Sequence, residues 1–212
     1  MTYKPVFSRS DVEIVARDTA FQGFFSVQRL TLRHRLYKGG WSEPFTRELF
    51  CRGRAAGVLL HDPKRDQLVL VEQFRVGQID ETDRAPWALE LVAGMLDADE
   101  SIEKMAMREV QEETGLTVSN LRFICDYYNS PGGSDERISV FYAQVDAANA
   151  GGVFGLDEEH EDIKVVVMSV SEAIGLLSQG VIDNAMAIIA LQWLQLHHGS
   201  LLNAGKEVSG SE

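Results

Sequence analysis

The sequence predicts an α/β (α+β) protein built on mixed sheets, and three observations carry that prediction. Period-2 alternation of apolar and polar side chains, the mark of half-buried strands, recurs from Val12 to Val170. Only three segments, 101–113, 171–178 and 183–197, read as helices. Turn-forming clusters such as His61-Asp62-Pro63-Lys64-Arg65-Asp66 separate the strand segments. Many strands with few helices between them give layered mixed sheets rather than a bundle.

In chain order, residues 12–18, 24–36 and 45–51 alternate and predict an N-terminal antiparallel strand region over residues 1–50. Segments 55–60 and 67–73 flank the turn cluster and read as a hairpin, and 87–92 is the next strand. The helix at 101–113 has Asp99 or Ser101 as N-cap and Gly115 as a left-handed C-cap. Strands resume at 121–128, 137–145 and 163–170, before the two C-terminal helices. Residues 146–162 form a long loop, Gly-rich and then acidic, of the kind that is usually functional or disordered. Residues 51–200 read as the main domain and 201–212 as a flexible tail.

The chain has 212 residues, enough to bury a core without staples, and 45% hydrophobic with 25% charged residues is a globular balance. A net charge of -12 repels polyanions, which argues against nucleic acid and anionic membrane surfaces as partners. A small anionic substrate stays compatible, because metal ions and a few arginines reverse the potential inside one cleft. Cys51 and Cys125, lacking partners at metal-ligand spacing, read as reduced core residues on strands. The first residues carry no apolar signal core and no run reaches membrane-span length, so the cytoplasm is the expected compartment.

The helix at 101–113 breaks its own pattern. Ile102, Met105, Ala106 and Val110 fall on one arc of roughly 140°, and Glu109 and Glu113 lie among them, with Glu112 at the edge. Burying such carboxylates costs several kcal/mol unless a cation compensates. All-oxygen donors suit Mg²⁺ or Mn²⁺, and Arg108 is spaced to pair with Glu112. The alternative is a solvated face shared with Arg108 and Lys104.

The preceding residues decide between them. Gly94-x5-Glu100-x7-Arg108-Glu109-Val110-x-Glu112-Glu113-x-Gly115-Leu116 resembles the signature of the Nudix hydrolases, with every defining position filled. The resemblance implies an α/β/α sandwich in which a loop–helix–loop holds divalent cations, more than one ion, against a diphosphate. It implies Glu109 and Glu113 as main metal ligands, Glu112 as a further carboxylate, the Ala93 carbonyl as a contributor, and Gly94, Glu100 and Arg108 as support.

The stretch Ser130–Arg137, SPGGSDER, is similar to a marker of the ADP-ribose-cleaving branch of that family, and so are RELFCRGRAAGVLL, LVEQFR and GLDEEHEDI. A loop over 77–85 looks slightly longer than is usual there. The branch implies hydrolysis of ADP-ribose to AMP and ribose 5-phosphate by a homodimer that exchanges its N-terminal strands. Phe24 would then stack on adenine, the alternative being a core place beside Phe25. Arg47 and Arg75 are candidates for diphosphate or ribose contacts, and Ser130 and Glu136 for substrate hydroxyls. In the acidic loop the resemblance points to Glu159 as general base, with Glu161 as competitor or additional ligand and His160 as a solvated bystander. Competing readings are a Nudix hydrolase of another nucleotide sugar such as GDP-mannose, and a Nudix domain that senses ligand without catalysis.

Overall fold

Polar pairs across neighbouring strands shape the N-terminal part of the chain. The computed structural model describes residues 3–208, in two units: residues up to Gly53 with Tyr128–Glu136, and Arg54–Tyr127 with the chain from Arg137 onward. In the first unit, β1 (Val12–Gln22), β2 (Ser26–His34) and β3 (Phe45–Cys51) form an antiparallel sheet in the order β1-β2-β3. Glu13 lies opposite Arg33 and pairs with it at 2.6 Å, and Arg17 donates to Gln28 at 2.6 Å. Two register shifts in β1, at Ile14/Ala16 and Thr19/Phe21, bend it away from a flat edge. Among the described residues of this unit only Leu30 and Glu136 are buried.

The second unit carries an eight-stranded mixed sheet. Its strands are β4 (Arg54–Asp62), β5 (Gln67–Phe74), β6 (Trp87–Glu90), β7 (Val92–Met95), β8 (Arg122–Tyr128), β9 (Arg137–Gln144), β10 (Gly152–Phe154) and β11 (Ile163–Ser169). The path runs β10-β11-β5-β4-β9-β8, with β6 on β5 and β7 on β4. The β4–β9 pair is parallel, whereas β5 pairs antiparallel with β4, β6 and β11. The turn between β4 and β5 is pinned by the Asp62 carboxylate, which accepts the Lys64 and Arg65 N–H groups.

Alternation along β4 and β5 sorts side chains onto two faces. Val58, Leu60, Val69 and Val71 pack with Met105, Ala106 and Val110 of α1 (Ile102–Thr114). Leu59, Leu68 and Leu70 face the other way, into a core with Ala173 of α2 (Val170–Ser178) and Ala187, Leu191 and Leu194 of α3 (Ala185–Val208). The result is the expected helix–sheet–helix layering. Each large apolar side chain so buried contributes roughly 1.5–3 kcal/mol.

Three elements differ from the expectation. The apolar run 87–92 is two strands, because the chain leaves β5 after Glu90 and joins β4 from Val92, so Leu91 marks a change of partner. The long loop contains the short strand β10, paired on β11. The last helix runs on to Val208, into the segment expected as tail, and Leu201 is buried there; residues 209–212 lie outside the described residues. Cys51 and Cys125 sit half-buried on β3 and β8 as free thiols. Among the described residues no helix is long and apolar enough to cross a membrane.

Candidate active site

Helix α1 begins where the Ser101 hydroxyl accepts the Lys104 N–H at 3.3 Å, and it ends where Gly115 takes the left-handed conformation, φ 70°. Its buried side is Met105, Ala106, Val110, Glu113 and Thr114. Glu113, only 2% exposed, therefore stands in the apolar arc where the helical period places it. Its Oε2 accepts the Ala93 amide N–H of β7 at 3.2 Å.

Glu109, one turn earlier, leans over β7. A Cβ on Gly94 would overlap its carboxyl group, so only glycine leaves room at that position. Arg108 binds the remaining acids: it donates to Glu112 at 2.7 Å and to Glu100 at 3.3 Å, and it lies 2.9 Å from Glu109. Burial works against the Arg108 charge. The Glu100 hydrogen bond and the charges of Glu109 and Glu112 outweigh it and raise its pKa further.

Burial pushes the Glu109 carboxyl up to about 7; Arg108 opposes this, and the charges of Glu112 and Glu161 add to it. Burial likewise pushes Glu113 up to about 8, reinforced by Glu109 and Glu161 and opposed by the Ala93 N–H and by Arg75. Two adjacent acids that resist ionisation are what a divalent cation relieves. The donor atoms are all oxygen, which fits Mg²⁺ or Mn²⁺. Glu109 and Glu113 would hold the ion, and Arg108 fixes Glu112 and Glu100 around them.

Beside β5 lies a cleft of about 410 Å³ whose walls include Gln73, Arg75, Trp87, Glu159 and Glu161. Glu159 closes a single 3-10 turn, Asp157–Glu159, and His160 follows in the left-handed conformation, φ 56°. Glu161 accepts the Leu156 N–H at 3.3 Å, and its charge bears on both Glu109 and Glu113. The structure thus brings Arg75, Glu159 and Glu161 around one cleft, with Glu161 acting on the carboxylate pair.

The other expected residues belong to the first unit. Phe24 is 88% exposed within the chain, edge-on to Phe25 at 4.7 Å. Arg47 on β3 is exposed, with its guanidinium 4.6 Å over the Phe45 ring. Ser130 is exposed, and its carbonyl accepts the N–H groups of Gly133 and Ser134. Glu136 is buried and accepts from Arg52 at 2.6 Å and from Asn129 at 2.9 Å. A carboxylate has about four lone-pair sites, so these two bonds leave it able to accept another donor.

Two residues of the cleft region escaped the sequence reading. Glu90 is buried on β6 and accepts from Arg75 Nε at 2.6 Å, which aims the guanidinium. Gln73 is buried on β5, borders the cleft, and its Nε2 has no hydrogen-bond partner among the described residues. A lone Glu or Gln within a strand looks like an outward-facing position, and only the pairing of β5 with β6 shows otherwise.

Residues 52–190 match the NUDIX domain model. The chain is 48% identical over 197 residues to the ADP-ribose pyrophosphatase of Escherichia coli K12, covering 93% of this chain and 94% of that one. It is 45% identical to the ADP-ribose pyrophosphatase of Haemophilus influenzae, covering 94% and 93%. It is 35% identical to the GDP-mannose pyrophosphatase of Cronobacter sakazakii, covering 88% and 96%. A solved structure described as an ADP compounds hydrolase shares the fold, with a TM-score of 0.65 at 20% identity over 89% of this chain and 97% of its own. A domain model matched over residues 52–190, together with relatives 45% and 48% identical over nearly the whole chain, makes this chain a member of the Nudix family.

Proposed function

We propose that this chain hydrolyses the diphosphate of ADP-ribose to AMP and ribose 5-phosphate with Mg²⁺, or Mn²⁺, bound at Glu109 and Glu113. The observation that carries the proposal is the buried carboxylate pair beside the cleft that Arg75 and the acidic loop border. The near-full-length likeness to enzymes named for ADP-ribose supports the substrate.

More than one divalent ion, when bound, lowers the pKa of the attacking water and offsets charge developing on the phosphoryl group. Glu109 and Glu113 supply the principal ligands, with Glu112 and the Ala93 carbonyl as additional donors. Glu161 completes the carboxylate set. Glu159, on the same loop, takes the proton as water attacks phosphorus, and the electron pair of the breaking P–O bond leaves with the other phosphate. Arg75, aimed by Glu90, binds diphosphate oxygens, and the free Gln73 amide donates to the substrate. Phe24 stacks on adenine, Arg47 contacts phosphate or ribose, and Ser130 and Glu136 bind hydroxyls.

The working form in this proposal is a homodimer that exchanges its N-terminal strands. Three strands with one buried apolar side chain do not form a stable unit in water, and Val15 and Phe21 of β1 are 55% and 61% exposed. A second copy of the same sheet would cover them.

Chromatography of the products of ADP-ribose turnover tests the reaction. Equimolar AMP and ribose 5-phosphate that form only with a divalent ion are expected; free ADP, or the same yield in chelator, would reject it.

A further inference from the structure

On the face of the sheet opposite α1, three ligating side chains converge from distant parts of the chain. His61 lies near the end of β4, Asp66 in the following turn, and His198 on α3. One ligating atom from each of His61, Asp66 and His198 lies within 4.8 Å of the other two, the one such group of His, Cys, Asp and Glu among the described residues. We infer that this trio is a second metal site, one that takes a divalent transition ion of the zinc type.

The proposal stands on an orphaned nitrogen. His61 is fully buried, and among the described residues its Nε2 has no hydrogen-bond partner; Asp66 Oδ1 is 3.5 Å away, too far for a good hydrogen bond. Its other nitrogen, Nδ1, is 3.0 Å from the Tyr142 hydroxyl. With Nδ1–H donated to that oxygen, the Nε2 lone pair faces Asp66 and His198, the arrangement by which an outer hydrogen bond fixes the tautomer of a metal-binding histidine.

The spacing fits an ion. A separation of 3.5 Å between nitrogen and oxygen suits two donors each ~2.0–2.1 Å from one metal in near-tetrahedral geometry. The His61 and His198 rings are 6.1 Å apart, within reach of two rings bound through Nε2 to one ion. His198 Nε2 and Asp66 Oδ1 are 2.6 Å apart, so in the metal-free protein a proton joins them, and the ion would replace it with a small movement of the half-exposed pair. Two imidazoles and one carboxylate favour zinc-type ions over Mg²⁺, which prefers the all-oxygen glutamates on the other face. Such an ion would clip the β4–β5 turn to α3 across 132 residues of chain. The site is separate from the catalytic cluster and does not depend on the substrate proposed above.

Zinc titration of chelator-treated protein in excess Mg²⁺ tests this. Wild type and Glu113→Gln should each bind one equivalent of Zn²⁺ and melt at a higher temperature with it. His198→Gln and Asp66→Asn, both at half-buried positions and the second suited to the left-handed conformation there, φ 53°, should bind it more than about tenfold more weakly and lose the shift. With Co²⁺ as probe, the visible bands of a four-coordinate nitrogen-bearing site should appear in wild type and vanish in both variants. Equal zinc affinity in wild type and both variants, loss of binding in Glu113→Gln alone, or no zinc uptake over Mg²⁺ would overturn the assignment and leave a proton-bridged pair.

Discussion

Gly94 lies directly beneath the Glu109 carboxylate, so close that any Cβ at position 94 would occupy the space of the carboxyl group. A position in strand β7 thus sets where the Glu109 carboxylate on helix α1 can sit. Gly94→Ala should leave the fold intact at a cost of about 1–3 kcal/mol from overpacking, yet lower kcat/KM roughly 100-fold, because a displacement near 1 Å is enough for that. Steady-state kinetics beside a thermal melt checks both parts.

Glu113 separates activity from stability. Glu113→Gln should reduce turnover by roughly 10²–10³, the equivalent of ~3–4 kcal/mol. The same change should raise the melting temperature of the metal-free protein at pH 8, where wild type must ionise a buried acid. Melting in chelator at that pH reads the second effect, and a lower melting temperature would count against it.

The pH dependence has a definite sign. Folding raises Glu109 to about 7 and Glu113 to about 8 from the ordinary 4.5, so the stability these groups contribute is complete below about 4.5 and is lost as pH rises through 7 and 8. Metal-free protein should lose stability over that window by a few kcal/mol, and saturating Mg²⁺ should abolish the loss. Urea unfolding at stepped pH, with and without Mg²⁺, measures it.

Arg75 and Glu90 act as one unit across 2.6 Å. Arg75→Ala should raise KM about tenfold or more with a smaller change in kcat, consistent with a charged hydrogen bond of ~1.5–3 kcal/mol. Glu90→Gln should move KM the same way by less, and Arg75→Lys should not restore it, since a lysine lacks the planar fork.

Removal of residues 1–50 should convert a dimer of the 23.6 kDa chain into monomers without turnover. Sedimentation equilibrium of both forms reads the masses. A stable, active monomer would refute strand exchange.

How much of this was legible in the sequence follows from locality. Helix α1, its Ser101 and Gly115 caps and the Glu109–Glu113 pair rest on one contiguous stretch, and helical period alone put both acids in the apolar arc. The break at Leu91 was hidden because an uninterrupted apolar run reads the same whether it serves one strand or two. The short β10 lies in a Gly-rich stretch without alternation. Glu90 and Gln73 were missed because their burial is set by pairing between strands, and the His61–Asp66–His198 trio because it joins residues far apart in the chain. The bonds that Glu136 accepts from Arg52 and Asn129 could not be read from the loop sequence.

The most direct measurement is kcat/KM for ADP-ribose against GDP-mannose, NADH, diadenosine polyphosphates and deoxynucleoside triphosphates, each with Mg²⁺ and in chelator. The account predicts metal-dependent cleavage of ADP-ribose at least tenfold ahead of every other compound, about 1.4 kcal/mol of discrimination. Preference for GDP-mannose, or binding of ADP-ribose without turnover under Mg²⁺ and Mn²⁺ alike, would contradict it.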